Sequence, residues 1–429
     1  MARKRVVTVD ARNEARPESP ASTEVMQQDF LVDARTAVQR VRRALSTALA
    51  SVGADPTQAR ALARQLGMDK SLAWRVSKIV VDDDPFATIS LLPGRIAQKA
   101  MLKSLQRAEA PSQIVDDVRQ SVADFESMVE KHAGDRETFG MMLSELTDKG
   151  RAERDEDHRK LAFLGHSAMW GVQARVRLVT HVITPGDDPD FLEAILVSGL
   201  LDFRRLRSNQ PWTVASYGAL DNDGCPVTTG RIIPLDPRVS QRGGPPLLLD
   251  YCSEGLPRMQ EAPGPDGSMS LQAMAGPVGN SGLFTCLTGL HMKSLLPRWW
   301  EASSRQDAEF GVMLKTPSEA LLFDLFVHQS LTPALNPAII SYAAMAGDPL
   351  GVSDGPNRRM LPLADRLIDL GANPPDLTTL EMPAYPQMME WVFRRIGHDA
   401  SEFRGFRFRQ RYPLIPTKVA YFYKFPEKP

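Results

Sequence analysis

Cysteine is scarce in this chain, and long apolar runs are missing. Its 429 residues include three cysteines, Cys225, Cys252 and Cys286, which are too few and too widely spaced for a disulfide framework or a paired-cysteine metal site. No apolar stretch approaches the roughly 20 residues that a membrane-spanning helix needs. The N-terminus has basic residues but lacks the apolar core of a secretion signal. We therefore expect a cytoplasmic protein without a membrane partner.

Signatures of cofactor and catalytic sites are also missing. There is no Walker loop and no dinucleotide fingerprint, and the seven histidines show neither HxH nor HExxH spacing. The stretch 165–169 lacks the second glycine of a hydrolase nucleophile turn, because Met169 occupies that position. Asp324 and His328 lie one turn apart in a predicted helix, which favours a structural hydrogen-bonded pair. We expect no enzyme activity, no catalytic residue, no cofactor and no metal.

Charge is unevenly distributed, although the chain carries a net charge of only −1. Residues 35–107 contain 13 Lys and Arg against 5 Asp and Glu, a net of +8. Residues 109–160 contain 8 basic and 14 acidic residues, a net of −6. A local positive excess attracts phosphate groups. The first of these segments is therefore the expected DNA-binding region.

The segment from Ala59 to Val76 is the most informative in the chain. Leu62 and Leu66 lie one helical turn apart and can share a buried face. Gly67 is expected to end this first helix, since glycine readily adopts the positive φ of a C-terminal turn. Asp69 is the predicted N-cap of a second helix. The expected contacts between the two helices come from Ala63, Met68, Ala73 and Val76.

Polar and aromatic side chains are left on the outward face of the second helix: Lys70, Ser71, Trp74, Arg75 and Lys78. Over residues 57–80 this pattern resembles the bacterial helix-turn-helix DNA-binding transcriptional regulators. The resemblance implies that the second helix enters the major groove of double-stranded DNA.

Each side chain of this face then has an expected contact. Arg75 reaches guanine, Ser71 a base or a phosphate, and the two lysines the DNA backbone. Trp74 contacts a thymine methyl or a sugar, or packs on a neighbouring helix. Arg64 on the first helix is a sixth DNA-binding candidate.

Several functions remain open at this point. Two amphipathic helices joined by a glycine also occur in all-α proteins that never contact nucleic acid. The favoured function is a sequence-specific, dimeric transcriptional regulator whose C-terminal half oligomerises or senses a small-molecule or protein effector. One alternative is a DNA-binding scaffold or nucleoid protein without sequence preference. Another is an enzyme that carries the helix-turn-helix as an accessory.

The chain is expected to be multidomain, with an all-α helix-turn-helix module followed by a larger α+β domain. Residues 1–26 mix charge with proline and serine and predict a disordered basic tail. Residues 27–108 are the expected DNA-binding domain, in which helical spacing between Phe30 and Ala50 predicts a supporting helix.

Residues 109–160 predict a helical linker. Its main helix, 111–132, has an apolar seam that indicates either a dimer contact or packing across the DNA-binding domain. The seam consists of Ile114, Val118, Val122, Phe125, Val129 and His132.

Residues 161–429 form the expected α+β domain. Alternation from Val172 to Leu178 predicts a strand, and the runs 212–220 and 226–235 predict a hairpin around the turn 221–224. At the C-terminus, arginines alternate with Phe406 and Phe408, which predicts a strand with a solvated or anion-binding basic face: Arg407, Arg409 and Arg411. Helices are expected over 190–201, 317–330, 337–346, 360–370 and 386–396.

Overall fold

The computed structural model describes residues 20–82, 84, 86–146, 151–207, 210–217, 231–263, 268–299, 307–334, 337–343, 360–361, 365–374 and 376–424. Contacts divide the chain into two compact units, Met1–Arg151 and Ala152–Pro429. The first is helical, and the second combines several sheets with helices. This confirms a helical N-terminal region followed by a larger α+β region. Among the described helices, none has the length and apolar character required to cross a membrane.

The first unit is a helical assembly around one apolar core. Its helices are α1 (Pro20–Ser51), α2 (Ala59–Leu66), α3 (Lys70–Val81), α4 (Arg95–Arg107), α5 (Ser112–Ala133) and α6 (Arg136–Leu146), with a 3-10 helix at Phe86–Leu91.

Helix α1 is longer than the sequence predicts. The predicted supporting helix is confirmed, with Ala34, Val38 and Val41 buried along one face. The helix begins at Pro20, so residues 20–26 are helical and the expected disorder there is wrong. Extending an existing helix adds one hydrogen bond for each residue fixed, which favours this continuation. The rest of the predicted tail, residues 1–19, lies outside the described residues.

The apolar seam of α5 is internal to the first unit. Val118, Val122, Phe125 and Val129 are at most 2% exposed and share their core with residues of α1. Because this packing uses the seam within one molecule, it agrees with the second alternative, packing across the helical domain, and leaves these four residues no surface for a dimer contact.

The second unit contains α7 (Arg151–Trp170), α8 (Pro237–Arg242) and α9 (Tyr385–Arg395), together with short 3-10 helices. Its strands are β1 (Val172–Pro185), β2 (Phe191–Arg205), β3 (Trp212–Tyr217), β4 (Arg231–Pro234), β5 (Met259–Pro263), β6 (Met269–Ala273), β7 (Phe284–Pro297), β8 (Asp307–Leu314), β9 (Ser318–His328), β10 (Ala338–Ala343), β11 (Met360–Leu361), β12 (Leu367–Ala372), β13 (Phe403–Arg411) and β14 (Thr417–Lys424).

These strands form three sheets. The largest has the order β12-β13-β9-β1-β2-β7-β4, and the smaller ones are β11-β10-β14-β8 and β3-β6-β5. In the largest sheet β1 and β9 are parallel, while the other described pairs are antiparallel. Helix α9 packs on one face, and residues of the smaller sheets contribute to the core on the other. The sheet is therefore covered on both sides.

Burial on both faces explains two of the wrong helix predictions, those that fall in β2 and β9. Residues 190–201 and 317–330 fall largely in β2 and β9, and the described parts of 337–346 and 360–370 fall in strands or loops. A strand covered on both faces is apolar throughout, so its period of two disappears and it resembles a buried helix. The predicted helix at 386–396 is confirmed as α9, and the predicted first strand as β1.

The predicted hairpin is also wrong, because β3 and β4 belong to different sheets. Its turn, 221–224, lies outside the described residues. The stretch 165–169 lies within α7, so it is not the strand-to-helix turn of a hydrolase.

A buried ion pair links two neighbouring strands of the largest sheet, β9 and β13. Asp324 on β9 and Arg407 on β13 are 0% and 4% exposed, and Nη2 of Arg407 lies 2.7 Å from Oδ2 of Asp324. The Tyr385 hydroxyl donates to the same oxygen at 2.7 Å. Burial raises the pKa of Asp324, and the Arg407 guanidinium opposes that rise.

This ion pair corrects two expectations. Asp324 does not pair with His328, because β9 is a strand, in which residues four positions apart are separated by about 13 Å. The C-terminal arginines do not form a solvated stripe: Arg407 is buried, Arg409 is partly buried against Glu381, and Arg411 alone among the three is exposed. The apolar face of that strand, with Phe406 and Phe408 buried, is confirmed.

Removing one partner of the buried pair should destabilise the protein strongly. Arg407→Leu leaves the Asp324 carboxylate without its cation, so we expect the free energy of unfolding in urea to fall by about 3–5 kcal/mol. The matched control Arg404→Leu breaks the ion pair with Asp369, in which both side chains are half-exposed. There the free energy of unfolding should fall by only about 0–1 kcal/mol. Equal losses in the two variants would contradict this prediction.

His181 on β1 introduces a dependence of stability on pH. The ring is buried between Phe310 and Phe323, and its Nε2 has no hydrogen-bond partner within the described part of the chain. Burial disfavours the charged imidazolium and lowers the pKa of His181 to about 4. The folded protein therefore holds this ring neutral down to mildly acidic pH.

Proton binding to the unfolded chain makes the folded protein less stable at acidic pH. Between pH ~6.5 and pH ~4 the unfolded chain binds a proton at His181 and the folded chain does not, so acidification lowers the free energy of unfolding by up to about 3 kcal/mol. In His181→Phe this contribution is absent, and urea unfolding at several pH values should show a shallower loss. An identical pH profile for the two proteins would refute the assignment.

Candidate nucleic-acid interface

The turn between α2 and α3 is built as its sequence predicts. Gly67 follows the last residue of α2 in the left-handed region, with φ 56° and ψ 37°. The amide of Met68 donates to the Ala63 carbonyl at 3.0 Å, which satisfies an orphan acceptor at the helix end. Since side chains disfavour this backbone conformation, glycine suits the position.

Helix α3 begins with the predicted cap. The Asp69 carboxylate accepts hydrogen bonds from the amides of Ser71 and Leu72, at 2.8 and 3.3 Å. These amides have no partner within the helix. The cap therefore fixes the first residue of α3, and with it the rotation of every later side chain about the helix axis.

Helices α2 and α3 pack through small and apolar residues. Ala63 and Ala73 are 7% and 0% exposed, and Leu62, Leu66 and Val76 are buried in the same core. The predicted contacts of this segment are confirmed. The buried Ser77 was not predicted; its hydroxyl donates to the Pro56 carbonyl at 2.5 Å and joins α3 to the segment before α2.

Five of the six candidate residues share the outward face of α3. At roughly 100° per residue they occupy a sector of about 140°, and Lys70 and Lys78 are separated by about 12 Å along the axis. Trp74 is 48% exposed, so it is not packed beneath a neighbouring helix. The members of this face, called the α3 face below, are Lys70, Ser71, Trp74 and Lys78, which are exposed, and Arg75, which is partly buried.

The cations of the α3 face are available to an external anion. Among the described residues, no ion pair involves the side chains of Lys70, Arg75 or Lys78. The sixth candidate, Arg64, is exposed on α2, where its Nε donates to the Arg60 carbonyl at 3.4 Å. It therefore belongs to the adjoining helix and not to the α3 face.

A second set of cations lies on α4 and was missed in the sequence. Basic residues recur there at every fourth position, which places them along one side of the helix, and all four are exposed. The last, Arg107, reaches the α2–α3 turn: its Nη1 lies 3.8 Å from the place where a Cβ would stand on Gly67. This α4 ridge consists of Arg95, Lys99, Lys103 and Arg107, and its four-residue period was the available signal.

Two further arginines flank the C-terminal end of α3. Arg42 of α1 donates to the Val80 carbonyl at 3.3 Å and to the Asp82 carbonyl, as is favourable at a helix C-terminus. A surface depression of about 350 Å³ lies beside it, lined by Gln39, Arg42, Arg43, Ser46 and Val80. Positive charge therefore continues from α3 onto α1.

No family model, curated protein or solved structure matches this chain. Its function is therefore inferred from the chemistry of its own residues.

A group able to hold a metal ion is present among the described residues of the second unit, at His328, His398 and Glu402.

Loss of the α3 cap should destabilise the first unit. Asp69→Ala removes the acceptor for two amides, so we expect the free energy of unfolding to fall by about 1 kcal/mol. Asp69→Ser keeps a capping oxygen and should retain most of the stability. Thermal or urea unfolding of both variants provides the measurement, and equal stability of Asp69→Ala and the wild type would argue against the cap.

Proposed function

We propose that this protein binds double-stranded DNA through the α3 face and reads sequence in the major groove. The observation that supports this most directly is an exposed helix face whose cations have no ion pair within the described ranges, and whose rotation is fixed by a cap and by close packing. The major groove is about 12 Å wide and admits an α-helix. A rigid face needs little reordering on binding, which lowers the entropic cost of association.

Side chains at different positions along α3 have different proposed roles. Lys70 and Ser71 lie in the first turn, which approaches base edges in helix-turn-helix proteins. Arg75, one turn later, is the proposed contact to guanine O6 and N7, and Lys78 contacts phosphate. Because Trp74 is half-exposed, we assign it to a thymine methyl or a sugar.

The α4 ridge is proposed to contact the phosphate backbone. Like charges four residues apart repel each other and weaken a helix by about 0.2–0.5 kcal/mol per pair. In the described ranges, neither Arg95, Lys99 nor Lys103 has an acidic partner that would relieve this repulsion. Phosphates along a duplex would neutralise the ridge, which adds affinity without sequence preference.

We further propose that the protein is a cytoplasmic transcriptional regulator. In this proposal the second unit oligomerises or senses an effector. Because the α5 seam is buried in the first unit, a dimer would require another surface. A dimeric regulator would select a palindromic site with half-sites about one helical turn apart.

Base reading and backbone contact predict different effects of mutation. A duplex is first selected from a random pool with the full chain, and dissociation constants are then measured on it and on a scrambled duplex. Arg75→Ala should weaken binding to the selected duplex by about 1–3 kcal/mol and leave the scrambled one little changed. Lys78→Ala should weaken both equally and reduce the salt slope by about one.

Lys131→Ala is the matched control, since this exposed lysine of the same unit already pairs with Asp33. Its affinity for both duplexes should equal that of the wild type. Equal losses on both duplexes for Arg75→Ala would remove its base-reading role. If the wild type also binds both duplexes equally, with a steep salt dependence, the protein is a scaffold without sequence preference.

A further inference from the structure

We propose that His328, His398 and Glu402 form a binding site for a divalent transition-metal ion of the Zn²⁺ class. The site lies in the second unit, and the proposal is independent of DNA binding. One ligand atom from each residue lies within 4.8 Å of the other two. Two imidazoles and one carboxylate are ligands that zinc accepts in proteins.

Strand pairing brings these residues together from distant parts of the chain. His328 is the last residue of β9 and pairs with Phe403, the first residue of β13, so Glu402 directly precedes this point. His398 follows α9, whose end is turned by Gly397 with φ 79°. The site is therefore held by the register of two central strands and by one helix end.

The distances between ligand atoms suit tetrahedral coordination. Nε2 of His328 and Nδ1 of His398 lie 3.2 and 3.0 Å from the same oxygen, Oε2 of Glu402. Zinc–ligand bonds of about 2.0–2.2 Å at tetrahedral angles separate neighbouring ligand atoms by about 3.3–3.6 Å. Shifts of a few tenths of an ångström would bring these two separations to the tetrahedral values.

Neighbouring groups hold two of the ligands in orientation. Nδ1 of His328 lies 2.8 Å from the Ser330 hydroxyl, which directs the opposite nitrogen, Nε2, toward the cluster. Oε1 of Glu402 accepts from the amide of Asp399 at 2.7 Å, leaving Oε2 to face the histidines. The Ser330 amide also donates to Nδ1 of His328 at 3.3 Å. When Nε2 binds a metal, Nδ1 carries the proton and donates it to the Ser330 hydroxyl, the outer contact that orients a metal-bound histidine.

The His328–His398–Glu402 cluster contacts a buried aromatic ring and is also accessible to solvent. The buried Phe403 ring lies 5.6 Å from both imidazole rings. The side chains of His328, His398 and Glu402 are 18%, 26% and 41% exposed, so solvent reaches the cluster. Three protein ligands would leave a fourth position for water or an external ligand.

Nitrogen ligands also indicate which ions are bound. Mg²⁺ and Ca²⁺ prefer sites made of oxygen atoms, whereas imidazole favours zinc and its transition-metal neighbours. The spacing HxH or HExxH that usually reveals such a site is absent here, because His328 precedes Glu402 by 74 residues.

Zinc titration of the chelator-stripped full chain tests the proposal. Calorimetry should show saturable binding of zinc that includes one equivalent lost or weakened in the variants below. Excess Mg²⁺ should not displace the bound zinc. Ser330→Ala, which loses only an orienting contact, should weaken this binding by about 10–100-fold. His398→Ala removes a ligand and should weaken it further.

His158→Ala is the matched control, because His158 is exposed on α7, outside the cluster. It should bind zinc as the wild type does, and circular dichroism should show that all variants are folded. Absence of saturable zinc binding would overturn the proposal. Equal zinc affinity of the wild type and His398→Ala would also overturn it, since the ion would then bind elsewhere.

Discussion

The close packing of α3 against its neighbours decides which of its side chains face solvent. The left-handed turn at Gly67 and the cap at Asp69 fix where the helix begins, and Ala73 allows close approach to the core. Because a helix turns roughly 100° per residue, the residues that pack into the core determine which residues face solvent. The proposed DNA contacts of Arg75 and Lys78 depend on this constraint. A longer turn or a bulkier residue at Ala73 would redirect them.

Local chemistry explains why the α2–α3 segment could be predicted from sequence. A glycine turn, a capping aspartate and buried positions at helical spacing act within a few residues of one another, so their spacing carries the information. Arg107 was missed because it reaches the turn from another helix. Likewise, the sequence of α5 does not show whether its apolar seam forms a dimer contact or packs within the domain, because that depends on α1, which covers Val118 and Val122.

The second unit shows where such local patterns fail. Burial on both faces made β2 and β9 resemble helices, and Arg407 is buried because its partner Asp324 lies on the neighbouring strand. The cluster at His328, His398 and Glu402 arises in the same way, from the pairing of β9 with β13. Both buried charge and metal-type ligands here depend on contacts distant in sequence. Composition and spacing therefore predicted the α+β class but neither of these clusters.

Methylation interference on a duplex selected by the full chain tests major-groove binding most directly. Guanine N7 faces the major groove, so methylation at guanines of the bound site should exclude those duplexes from the complex. The α3 face predicts such interference over a short site, at the guanine assigned to Arg75. Uniform recovery of methylated guanines in bound and free DNA would contradict insertion of α3 into the major groove.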